Sequence, residues 1–358
     1  MMKPLEQSLA RALENLSRLV EIPSYSRQEE GTADYIQSHL ASRGIKASRV
    51  RNNVWAANLH FEAGKPTILL CSHHDTVRPA SGYTRDPHVA ALEDGKLFGL
   101  GSNDAGAPLV ALIEAFASFY DKENLRYNLI LAAVAEEECS GENGIGALLQ
   151  EIPVPDCAIV GEPTGMRMAV AEKSLIVVDC TAHGRSGHAA REEGDNAIYK
   201  AVKDIEAIAG YEFPRVSEML GKVKMTVTMV NAGTQHNVIP DKCTFTVDIR
   251  TTDAYTNDQV MGTLRGLISS EAVPRSLKRR ASSIPMDHPL VRAGLELGLE
   301  PFGSPTLSDQ ALLSCPSLKI GPGESARSHT ADEYVEVAEL ELGIRIYGEL
   351  LEKLLLPG

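Results

Sequence analysis

The chain has 358 residues, 43% of them hydrophobic, and a formal net charge of −13. That is ample apolar material for a large core and too much chain for one ordinary domain. The acidic balance argues against a nucleic-acid or anionic-membrane surface, so neither partner is expected. Six cysteines (Cys71, Cys139, Cys157, Cys180, Cys243 and Cys315) are scattered without a C-x-x-C pair. That pattern fits reduced thiols in a cytoplasm better than a disulfide frame. "MMKPLEQSLARALENLSRLV" carries charges every few positions and no apolar h-region, and no run approaches the length of a membrane span. The sequence therefore reads as soluble and cytoplasmic.

Leu5, Leu9, Leu13, Leu16 and Val20 recur at helical spacing and predict an opening amphipathic helix. "EEGTADYIQSHLASRG" predicts a second helix, ending at Gly44. "VWAANLHF" and "PTILLCSH" read as strands. A loop rich in Gly, Pro and Asp leads to a helix from about Ala105 to Tyr120, with Pro108 in its tolerant first turn. "NLILAAVA" and "CAIVGEPT" give two more apolar strands. Apolar strands alternating with helices indicate a mostly parallel sheet with helices on both faces.

The pattern changes near Ser174. "KVKMTVTMV" and "CTFTVDIR" alternate polar and apolar residues, as antiparallel strands with one exposed face do. "NAIYKAVKDIEAIAGY" is an amphipathic helix, and another begins at Thr256 with a capping box to Gln259. These elements predict an α+β domain at 174–283, inserted in an α/β domain formed by 1–173 and 284–358. The α/β domain closes with a long helix after Asp332.

Acidic residues and histidines gather at element ends, where α/β sheets place ligand sites. "SHHDTV" follows one strand. "GLGSNDAGAP" puts Asp104 before a helix. "VAEEECSGENG" sets three glutamates after another strand, "IVGEPTG" offers Glu162, and "GPGESARSHTADEY" offers His329 before the last helix. Each has a plain structural explanation by itself: a hydrogen-bonded histidine, a solvated acidic face, a helix N-cap at Asp104, a turn before Pro163. Together they concentrate negative charge that would repel itself unless cations filled it. Mixed imidazole and carboxylate ligands suit Zn²⁺, with Co²⁺ or Mn²⁺ as possible substitutes.

These motifs resemble those of the dinuclear zinc deacylases and peptidases that include acetylornithine deacetylase, succinyl-diaminopimelate desuccinylase, carboxypeptidase G and aminoacylase-1. The family's H-x-D, G-x-x-D, E-E, G-E-P-T and H-T-x-D-E-Y occur here in order. "HGRSGHAAREEGDNAI" and "GTQHNVIPDKCTFTVDIR" extend the likeness through the inserted domain, which the resemblance makes a lid and dimerisation domain. Within the family, the acetylornithine and succinylornithine deacylases look most similar. H-x-D makes His73 a ligand and Asp75 the carboxylate that fixes its tautomer, and leaves His74 structural. The resemblance implies two Zn²⁺ per chain. Asp104 would bridge them, His73 and Glu162 would hold one, and Glu138 and His329 the other.

Aligning the glutamate run leaves Glu136 in a variable place and makes Glu137 the general base. The residue after Asp104 is Ala105, where the family often has Lys or Met. His188 resembles the family's oxyanion donor, acting across a two-fold homodimer. Arg250 would clamp a substrate carboxylate, against the alternative of a surface ion pair with Asp248, and Asn237 would orient the same substrate end. The implied reaction is hydrolysis of an N-acyl amino acid, N-acetyl- or N-succinyl-L-ornithine foremost, as in arginine biosynthesis, by metal-activated water. A succinyl-diaminopimelate desuccinylase, a dipeptidase or a carboxypeptidase is the alternative within the family. A non-catalytic amino-acid-binding homologue is disfavoured, because every ligand position and Glu137 are present. The motifs leave the acyl group and the amine side open.

Overall fold

The structure is a computed structural model that describes residues 4–356. The chain divides into two compact units. The first runs through Val170 and takes in Ile284–Phe302 and the chain from Ser308 onward. The second comprises Ala171–Ser283 with Gly303–Leu307.

The centre of the first unit's sheet is parallel. Thr67–His73 lies between Asn128–Val134 and Cys157–Val160, and Ser317–Lys319 follows beyond the latter. The flanks are antiparallel. Asn53–Ala57 pairs with Asn128–Val134, and Ser48–Val50 pairs with Asn53–Ala57. A two-residue turn joins that outer pair, and so short a connection permits only an antiparallel hairpin. Every residue of Thr67–His73 and of Asn128–Val134 is buried, as the unbroken apolar runs predict for strands covered on both faces.

Side chains alternate between those faces. Leu69, Cys71, Ile130, Ala132, Ala158 and Val160 pack with Ile145, Leu148, Ile152 and Leu313. On the other face the helix Ala107–Phe119 lies on the strands and packs with the helices Pro4–Glu21 and Val337–Leu355. Phe116 and Tyr347 are fully buried there. The helix expected from about Ala105 begins at Ala107, because Ser102–Gly106 forms one wider turn in which Asp104 and Ala105 leave helical geometry.

The second unit holds a four-stranded antiparallel sheet, ordered Lys224–Ala232, Lys242–Thr251, Ser174–His183, Glu271–Pro274. Alternate residues Ile176, Val178, Cys180, Phe245, Val247 and Ile249 form its core with Ala201, Ile208, Val260 and Leu264 from two helices. The second helix, Asn257–Leu267, opens with the capping box between Thr256 and Gln259 that the sequence predicts. A small antiparallel pair joins Gly187–His188 to Val238–Ile239. Among the described residues no helix is long and apolar enough to cross a membrane, and all six cysteines are free.

Candidate metal centre

The Thr67–His73 strand delivers its last residue to the C-terminal edge of the parallel sheet, where neighbouring strands also release their loops. His73 is buried. Its Nδ1 donates to the Asp75 backbone carbonyl at 2.9 Å, which leaves Nε2 as the free nitrogen. Nε2 faces Asp104 Oδ1 at 3.1 Å and Glu162 Oε1 at 3.9 Å. His74 turns the other way, its Nε2 2.9 Å from the Asn52 carbonyl and its Nδ1 2.8 Å from Thr32 Oγ1. Burial lowers its pKa to about 4, so it stays neutral.

The expected bond from His73 to the Asp75 carboxylate is replaced by the bond to its carbonyl; the nearest carboxylate oxygen is 3.6 Å away. The strand ends at His73, so strict strand alternation no longer governs Asp75. The Asp75 carboxylate instead accepts from Ser26 Oγ at 2.7 Å and from the backbone N–H groups of Glu137 and Glu138 at 3.1 and 3.2 Å. It therefore anchors the glutamate loop.

Asp104 lies between two imidazoles. Oδ1 faces His73, and Oδ2 lies 3.7 Å from His329 Nε2. His329 Nε2 is also 2.9 Å from Glu138 Oε2. Donor atoms of His73, Asp104 and Glu138 all fall within 4.8 Å of one another. Glu136 leaves the cluster: in a left-handed conformation, it accepts from Asn143 N and Nδ2 at 3.2 and 2.9 Å. Gly141 is required opposite it, since a Cβ there would lie 1.7 Å from Glu136 Oε2.

One residue that holds the centre was not singled out from the sequence. Glu333 is 2% exposed, and its carboxylate accepts from the N–H groups of Gly101, Asn103 and Asp104 at 3.1, 2.9 and 2.9 Å. Burial pushes it up to about 7 against those hydrogen bonds. Its signal was visible as the Glu of "HTADEY", a motif read only for its histidine.

The electrostatics describe a cluster short of positive charge. Burial first, then Glu162, Asp309 and Glu138, push Glu137 well above the usual carboxylate range, against the pull of His73. Glu162 rises for the same first reason, with His73 and Lys319 opposing and Asp104 and Asp309 adding to the rise. Burial would lower His73, but Asp104, Glu162 and Glu137 outweigh it and raise it well above the ordinary imidazole value. The hydrogen bond that His329 donates to the Glu138 carboxylate raises the imidazole pKa to about 9. Asp104 resists its own burial and stays low, because His73, Ser328 and His329 favour its ionised form. Protons held on these groups occupy places that cations would take. A doubly facing carboxylate with an imidazole at each oxygen fits two such ions.

The remaining predicted residues lie in the second unit. His188 is exposed, and its Nδ1 accepts from Ala190 N at 3.1 Å. The Asn237 carbonyl accepts from Ala189 N at 3.0 Å, so this strand pair sets Asn237 opposite the residue after His188. Arg250 is half-exposed, and its fork is taken up by Asp248, at 2.9 and 3.1 Å. That is the ion pair weighed against the clamp role in the sequence.

A succinyl-diaminopimelate desuccinylase of Corynebacterium glutamicum is 29% identical to this chain over 344 residues, covering 90% of this chain and 91% of its own. An acetylornithine deacetylase of Proteus mirabilis is 28% identical over 312 residues, covering 81% and 80%. The fold is similar to that of the YXEP protein of Bacillus subtilis, a dinuclear metal-binding peptidase. The TM-score is 0.74 at 16% identity, covering 97% of this chain and 98% of that one. Residues 69–353 match the model of one family, and this span contains the strand end at His73, the Asp104 turn, the glutamate loop, Glu162 and His329. The chain belongs to peptidase family M20/M25/M40, a family of metal-dependent hydrolases.

Proposed function

We propose that this hydrolase cleaves the amide bond of an N-acyl amino acid, N-acetyl- or N-succinyl-L-ornithine being the substrates we favour. The observation that carries the reading is Asp104, whose two oxygens face His73 and His329, with Glu162 beside the first and Glu138 beside the second. In this reading His73, Asp104, Glu138, Glu162 and His329 would hold two Zn²⁺ ions, which would supply the Lewis acidity that acidifies a water and polarises the amide carbonyl. Glu137 takes the proton from the attacking water and passes it to the leaving amine. Asp75 sets the position of Glu137 through the backbone, and Glu333 sets that of Asp104.

In the same reading, the second unit is a lid and dimerisation domain. His188 donates to the developing oxyanion of the partner subunit's site, while Arg250, released from Asp248, and Asn237 hold the substrate carboxylate end. Support for the dimer comes from the edge strand Lys224–Ala232, where Met229 and Val230 are exposed; an exposed edge of that kind invites pairing with a second copy. Six free thiols support a cytoplasmic setting. The two relatives name both acyl classes. The test is a rate comparison on zinc-loaded protein of acetyl- and succinylornithine, acetylcitrulline, succinyl-diaminopimelate and a dipeptide. An N-acylornithine should give the highest kcat/KM; a dipeptide turned over faster would move the assignment to a peptidase.

A further inference from the structure

Among the described residues, Lys319 is the only lysine or arginine in the buried interior, at 3% exposed. Central parallel strands are normally apolar, and an ammonium there loses its hydration. Lys319 ends the strand Ser317–Lys319, whose parallel register sets it beside Val160. Ile320 N donates to the Val160 carbonyl at 3.0 Å. One residue further, Gly321 runs so near Glu162 that a Cβ would lie 2.5 Å from the Glu162 carbonyl. Residues paired across a sheet share a face. Lys319 therefore issues from the face of Val160 and Cys71, the row that ends at His73.

A buried carboxylate comes to the same face. Ser317, two residues before Lys319, accepts from Gln310 Nε2 at 3.0 Å. Gln310 belongs to the turn Asp309–Leu312, and Leu313 at its end packs on Val160 and Cys71. Asp309 is 6% exposed, and neither it nor Lys319 is without a polar partner. Lys319 acts with His73 to keep Glu162 ionised, while Asp309 raises both Glu162 and Glu137.

We propose that Lys319 is a resident cation of the metal centre, a positioning residue that supplies positive charge to the Glu162 side from within the fold. The proposal rests on the metal-centre reading above. Asp104, Glu137, Glu138, Glu162 and Asp309 already outnumber the four positive charges of two divalent ions, and the buried carboxylates of Asp75 and Glu333 lie beside them, so Lys319 offsets part of an excess that the metals leave. Without metal, the ammonium still opposes the repulsion between Glu162 and its neighbours, so the site keeps its arrangement. With metal, the same charge competes for Glu162 and weakens the ion held there.

The test uses the full chain, stripped with a chelator and then loaded with Zn²⁺. Lys319→Met should lower the melting temperature of the stripped protein by about 3 °C or more while leaving the zinc-loaded protein nearly unchanged. It should also tighten one of the two zinc ions on the order of tenfold in competition with a chelator. Asp309→Asn should shift zinc affinity the opposite way, and it carries the test if the lysine variant does not fold. Equal destabilisation of stripped and loaded Lys319→Met, with zinc affinity unchanged, would make Lys319 a structural partner only and overturn the proposal. So would an unchanged zinc affinity in Asp309→Asn. A wild-type chain that binds no zinc would overturn both this proposal and the metal-centre reading, and so separates the two failures.

Discussion

Replacing Asp75 by Asn separates two ways in which this carboxylate could serve the centre. Its Oδ2 accepts from Ser26 Oγ and Glu138 N, and its Oδ1 from Glu137 N. An amide keeps one acceptor oxygen. In its better orientation it serves Ser26 and Glu138 and turns an NH₂ toward the Glu137 N–H, leaving that donor unpaired. An unsatisfied buried N–H costs about 1–3 kcal/mol, and losing the charge weakens the two surviving bonds, so a total of about 2–4 kcal/mol is expected. Trp55, the single tryptophan, lies in the first unit's sheet and reports that unit's urea transition directly. The His73 bond to the residue-75 carbonyl survives the substitution. Stability and kcat should therefore fall while most zinc stays bound. A variant within about 0.5 kcal/mol of wild type, the scatter of surface substitutions, would refute the anchoring role. Activity lost strictly in proportion to zinc, with stability intact, would return Asp75 to orienting His73.

The glutamate register is tested by a pair of substitutions: Glu137→Ala should lower kcat by about 10² to 10⁴-fold with zinc content intact, and Glu138→Ala should lose zinc. The reverse pattern would shift the assignment by one residue. In the stripped protein, neighbouring carboxylates raise His73 well above its ordinary value, and His329 to about 9. Zinc must displace protons from both, so affinity should weaken as pH falls from 9 and strengthen as it rises toward 9. Calorimetry in buffers of different ionisation enthalpy should record that proton release, and none at pH 7 would contradict the assigned ligands. Mixing Glu137→Ala with His188→Ala chains should restore activity through hybrid dimers with one complete site; verified hybrids that stay inactive would remove His188 from the partner's site.

What could be read from the sequence is what short-range physics controls. The apolar runs gave the buried strands, and the alternation in "CTFTVDIR" gave the one-faced sheet, because periodicity reports burial directly. The Thr256 capping box was legible because its partner is three residues away. The turn at Asp104 was not, and its helix begins at Ala107 rather than near Ala105. That turn is held by Glu333, 229 residues on from Asp104, and no local pattern announces such a bond. Likewise the Asp75 carboxylate bonds a loop 62 and 63 residues later, where the H-x-D resemblance set it on His73. Lys319 stands between Leu318 and Ile320 with no charged neighbour to mark it; only the sheet register brings it beside the strand leading to Glu162.

The central claim is that two metal ions at Asp104 make this chain an N-acyl amino acid hydrolase. Titrating stripped protein with Zn²⁺, while following ornithine release from N-acetyl- and N-succinylornithine, tests it most directly. The account predicts activity that depends on added zinc and reaches its plateau at two ions bound per chain. Full activity without bound metal, or two bound ions with no release from either substrate, would contradict it.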